Sequence, residues 1–176
     1  MKKIFFVLFA MLLIMLPHMH QASAKMPESL SFTIPDGIEP KFIQDYNYGT
    51  VIVTRFVLQG NSIDDWTEAF EVINAMKSNY PKTPKEFCDN MIEKRKKACS
   101  TVDVSIIDQT AESILYEIKS KQCPPFPDEQ SLNRAMYGNI NAYILIYTNR
   151  TPGGMTKETR DSWLGTISTA MILPAW

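Results

Sequence analysis

Histidine, cysteine and carboxylate side chains carry much of the chemistry open to a protein, so their placement comes first. The two histidines, His18 and His20, lie in LPHMHQASAKMP. A His-x-His spacing invites a metal-ligand reading, but their setting argues for another origin. Lys2 and Lys3 precede an uninterrupted apolar run of 13 residues, Ile4 to Leu16, which Pro17 ends before Ala22-Ser23-Ala24. This is the layout of a Sec-type signal peptide, residues 1–24, cleaved after Ala24. The run falls short of the ~20 apolar residues that a membrane-spanning helix needs.

Both histidines are then expected to leave with the signal. The remaining chain, residues 25–176, has no imidazole. That excludes a Ser-His-Asp triad, a Cys-His pair, a His-ligated zinc and an imidazole-based pH switch. The spacing of Cys88, Cys99 and Cys123 fits no metal site. We therefore expect no catalytic, cofactor-binding or metal-binding residue, and no cofactor.

Other groups have a sharp and a bland reading. Asp64, Asp65, Glu68 and Glu71 have the residue types for acid–base sugar chemistry; nothing makes two of them converge, and a solvated face is the plainer reading. Cys88 could serve as a thiolate, but no cation shares its helical stripe, so it reads as a buried structural thiol. Gly153-Gly154 stands between a strand and a helix start, where backbone N–H groups can hold an anion. It lacks phosphate-loop spacing and reads as a turn. Asn149-Arg150-Thr151 matches a glycosylation sequon. Lys94-Arg95-Lys96-Lys97 reads as an anion or membrane patch, or more plainly as a solvated helix end.

These residues need elements to position them. Removing 24 of the 176 residues leaves 152, enough for one domain with a real core. Lys2 and Lys3 leave too, so 16 basic residues face 19 acidic ones, a net of -3. That is no nucleic-acid footprint, and no later run is long enough to cross a membrane.

Residues 29–35 alternate as a short strand, 41–48 are polar and connective, and 49–59 form a β-branched strand ending at Gly60-Asn61. Residues 62–76 are ambiguous. Ile63, Trp66, Phe70 and Ile73 fit a helical stripe, while Trp66, Phe70 and Val72 fit one strand face. Residues 83–100 are the clearest helix, with Thr83 as N-cap, Pro84 in the first turn and Glu86 completing a capping box.

Strands 102–108 and 113–119 pair antiparallel so that opposed numbers sum to 222. Val104 then faces Ile118 and Ile106 faces Tyr116, both apolar pairs on one face. The same register sets Cys99 opposite Cys123, which predicts a disulfide between them. Cys88 lies about 16 Å back along the helix, too far from Cys99 to pair, and is expected to be free and buried. Residues 131–137 and 142–149 form a second hairpin, its last strand central and covered on both faces. Residues 156–172 form a helix capped by Thr156, with Trp163, Ile167 and Ala170 buried. The expected class is α+β, a largely antiparallel β-sheet with two helices packed on it.

Two stretches, VLQGNSIDDWTEAFEV and KQCPPFPDEQSLNRAMYGNINAYILIYTNR, with the closing Trp helix, resemble small exported proteins of Gram-negative bacteria with a PsbP-like α/β sandwich. The resemblance covers roughly residues 50 to 170. It implies a strand over 66–76, and it transfers no catalytic residue. The expected function is that of an exported, non-enzymatic binding or accessory protein, periplasmic or secreted, taking a protein or small-molecule partner but no nucleic acid. The alternatives are a host-interaction factor released through a secretion system and a carboxylate-dependent hydrolase.

Overall fold

Alternation and capping build the elements. The computed structural model describes residues 27 to 175, so the expected signal peptide, its expected cleavage point and both histidines lie outside the described residues. In chain order the strands before the first helix are β1 (Ser29–Ser31), β2 (Phe42–Asn47), β3 (Val51–Gly60) and β4 (Trp66–Met76). Helix α1 (Pro84–Ala98) leads to β5 (Thr101–Gln109), β6 (Ser113–Lys121), β7 (Glu129–Tyr137) and β8 (Asn141–Asn149). Helix α2 (Lys157–Thr169) and β9 (Met171–Leu173) close the chain.

The protein is α+β. Seven strands form an antiparallel sheet in the order β2-β3-β4-β8-β7-β6-β5, and β1 pairs with β9 in a separate ribbon. Two meanders, β2 to β4 and β5 to β8, thus join along β4 and β8 at the centre. The crossover between them is α1.

Each face of the sheet takes one helix. Tyr143, Leu145 and Tyr147 of β8 meet Trp163 and Ile167 of α2 in one core. The segment carrying Leu30, Phe32, Ile34 and Ile38 packs on the same core. On the opposite face Ala142 and Ile144 pack with Phe87 and Cys88 of α1. Period-2 alternation along β8 therefore feeds two cores from one strand.

The β5–β6 pairing has Val104 opposite Ile118 and Ile106 opposite Tyr116, until a register shift between Ile106 and Asp108. The sulfurs of Cys99 and Cys123 are 2.03 Å apart, at bonding distance, and Cys88 is free and buried. Thr83 caps α1 by accepting from the Glu86 N–H at 3.1 Å. The Glu86 carboxylate reaches the Lys82 N–H at 2.9 Å instead of closing the box on Thr83.

Three expectations are corrected. Residues 42 to 47, expected to be connective, form the edge strand β2, because β3 supplies a full antiparallel partner. The first strand stops at Ser31, after which Phe32 and Ile34 pack as irregular chain. The last helix stops at Thr169, and Met171 to Leu173 leave it to pair with β1. Residues 66 to 76 are a strand; before them Ser62 Oγ accepts from the Asp64 and Asp65 N–H groups in a turn.

Candidate functional site: a groove beside the first helix

Helix α1 sits off centre. It packs on β5, β6 and β7, and among the described residues no helix packs on that face over β2 to β4. Ile73 of β4 and Ile146 of β8 consequently lie half-buried on the two central strands. They form the floor of a groove of about 470 Å³, walled by Tyr80, Phe87 and Met91 and edged by Lys94 and Lys97. The rings of Tyr80 and Phe87 stack at 5.7 Å with 14° between their planes. Every α1 residue in the lining belongs to one flank of the helix. Residues 87, 90, 91, 93, 94 and 97 follow the three-and-four spacing that aligns side chains.

The apolar floor has a polar border. Glu71 stands opposite Ile146 on the same face, and Arg55 stands opposite Glu71. The two form an ion pair at 2.6 Å. The Arg55 guanidinium also lies 5.6 Å from the Trp66 ring centre, and that of Arg150 lies 3.7 Å from it. Arg95, in the last turns of α1, and Arg150, just past β8, both pair with the buried carboxylate of Glu129. The basic run on α1 is therefore divided. Arg95 turns toward Glu129, while Lys94 and Lys97 edge the groove.

Glu117 is a second buried acid. Burial acts to raise its pKa, but hydrogen bonds from Arg160 and Gln130, with the charges of Arg160 and Lys119, outweigh it and hold the carboxyl below its usual value. Its bonds are 2.9 Å to Arg160 Nε and 2.5 Å to Gln130 Nε2. Gln130 Oε1 in turn accepts from the Met155 N–H at 3.1 Å. Sequence reasoning missed both acids. Their arginine partners lie 21 to 43 residues away along the chain, and no local pattern announces them.

The four acids singled out from the sequence do not converge. Glu68 accepts from Tyr147 Oη at 3.0 Å and Asn149 Nδ2 at 3.2 Å. Glu71 pairs with Arg55 on the opposite face, Asp65 accepts from Asn61 Nδ2, and Asp64 is exposed. Burial pushes the Cys88 thiol up to about 11, so it is protonated at neutral pH. Asn149 of the sequon is buried, with its amide committed to Glu68. Gly153 and Gly154 take positive φ, and the Gly154 N–H closes a turn on the Thr151 carbonyl at 2.9 Å. Among the described residues no three His, Cys, Asp or Glu side chains are grouped to hold a metal. No helix among them is long and apolar enough to cross a membrane. Comparison with protein-family models, curated proteins and solved structures finds no match for the chain.

Proposed function

We propose that the chain is an exported, non-enzymatic binding protein whose ligand lies in the groove between α1 and the uncovered half of the sheet. The observation that carries this reading is the incomplete burial of Ile73 and Ile146 on the two central strands. The centre of a sheet is where apolar burial is normally most complete. Leaving two isoleucines part-open there forgoes stabilisation of roughly 25 cal/mol for each Å² left wet. A ligand that covers them recovers it. The separation of the acids and the protonated Cys88 supply no nucleophile or acid–base pair for an enzymatic alternative. Export is supported by the pattern of residues 1–24 and by the Cys99–Cys123 bond, which persists in oxidising compartments. The likeness of residues 50 to 170 to small exported sandwiches agrees with both.

The test uses Nile red, an uncharged apolar dye. Its fluorescence should rise on adding the purified protein, and Ile146→Asp should weaken binding by roughly tenfold or more while leaving the near-ultraviolet circular dichroism unchanged. Dye binding that survives Ile146→Asp, or no dye binding at all, would place the ligand elsewhere. Mass spectrometry of the exported protein should find a chain beginning at Lys25.

A further inference from the structure

The groove has a direction. Phe87 and Lys97 are ten residues apart on α1, about 15 Å along the helix axis. At the Phe87 end the walls are Tyr80, Pro81 and Phe87; Met91 follows; at the other end stand Lys94 and Lys97, with Glu93 beside them. Apolar character therefore gives way to net positive charge along one flank of a single helix. Lys94 and Lys97 pair with no other described residue, whereas Lys85 on the same helix is engaged by Asp89 at 2.5 Å. Long lysine stems lie readily along apolar surface and hold their ammonium groups at its rim. Two such ammonium groups over an apolar slot complement one anionic group joined to an apolar chain.

The dimensions select the kind of chain. The groove, about 470 Å³, falls in the range of roughly 300–1,000 Å³ typical of small-molecule sites. A stable protein partner would need about 800 Å² on each side. A helix laid on this face would meet the Arg55–Glu71 ion pair directly beside Ile146. That pair would have to be desolvated under the helix, and such burial often costs more than it returns. A single slender chain avoids it by staying between α1 and the row of Ile73 and Ile146.

We infer that the groove takes a single-chain amphiphile with an anionic head, its tail against Ile73, Ile146, Phe87 and Met91 and its head between Lys94 and Lys97. The inference rests on the groove reading above and adds the class of ligand. The head receives charge-assisted hydrogen bonds from the two ammonium groups.

Two probes of equal chain length and opposite head charge test it: laurate and dodecyltrimethylammonium, titrated calorimetrically below micellar concentrations. Laurate should bind one to one and about tenfold or more tighter than its cationic twin. That preference should shrink as salt is added. Lys94→Gln with Lys97→Gln should weaken laurate by roughly tenfold and erase the preference, while Nile red still binds. Both positions are exposed, so the double variant keeps the fold. Equal affinities for the two heads, or a preference that survives the double variant, overturn the assignment. Nile red binding without laurate binding overturns the ligand class and leaves the groove reading standing. Loss of Nile red in the wild type overturns both.

Discussion

The two faces of the sheet carry one helix each, yet they are fastened by different means. On the α2 face packing does the holding. Trp163 stacks on Tyr147 at 4.5 Å and lies 5.0 Å from Phe70, and Ile167 is fully buried beside them. Arg134 then secures the end of α2 by donating to the carbonyls of Ile167, Ser168 and Ala170 at 2.6–3.0 Å. On the α1 face the helix buries only Pro84, Phe87 and Cys88. Clamps supplement that small area: the Cys99–Cys123 bond at its C-terminal end and the Arg95–Glu129 pair one turn earlier. A helix held mainly by packing must sit over the apolar centre. A helix held by clamps at one end can sit aside and leave the centre open. The difference is what leaves the centre of the sheet part-open on the α1 side and closed by Trp163 and Ile167 on the α2 side.

The largest effect should come from Trp163→Ala, which removes the centre of the packed face and should cost about 3–5 kcal/mol of stability in denaturant unfolding. A loss under about 1 kcal/mol would mean that packing does not dominate there. Cys99→Ser should cost roughly 3 kcal/mol. Hydrogen exchange should quicken in α1 and not in α2; equal quickening in both helices would break the distinction between clamp and packing.

A third effect is smaller and belongs to pH. Glu117 ties α2 to the sheet through Arg160, and its carboxyl is held below the ordinary value of 4.5. A depressed pKa contributes stability that is present above the unfolded value and lost as pH falls through the folded one. Unfolding followed from pH 5 downward should therefore show stability falling less steeply in Glu117→Gln than in the wild type. An unchanged slope would remove Glu117 from the fastening of α2. The smallest effect should be that of Ile146→Ala, about 1 kcal/mol or less, because its side chain is already part-open. A cost near that of Trp163→Ala would show the groove to be closed in solution.

Legibility in the sequence followed the range of the interactions. Helix α1 was readable because Thr83, Pro84 and Glu86 act within one turn. The β5–β6 register was readable because four apolar residues fix it across a short turn. Strand β4 was ambiguous because it is central. Ala69 and Phe70 both point into packed layers, so alternation disappears and a helical period fits as well. Strand β2 was hidden by its polar residues and β9 by its brevity, and both depend on partners chosen elsewhere. The groove was the least legible feature. Ile73, Ile146 and Lys94 belong to three elements, and only the sideways placement of α1 brings them together. Lys94 and Lys97 read as a solvated helix end because sequence does not reveal what a helix flank overlooks.

The contact made by Glu28 bears on the order in which the molecule is assembled. Its carboxylate accepts from the N–H groups of Asn139 at 2.7 Å and Asn141 at 3.1 Å, and a Cβ on Gly138 would overlap it. Three residues later Ser31 pairs with Met171. The earliest described segment thus takes these partners from residues more than 100 positions further along the chain. Contacts that span so much chain form slowly, since the loop they close must first be ordered. The meander β5 to β8 can zip up locally, but the β1–β9 ribbon joins the two ends of the described chain and is a latch that shuts last. Until residues 171–173 have emerged, Ser29 to Ser31 have no partner strand, and the nascent chain stays open along that edge.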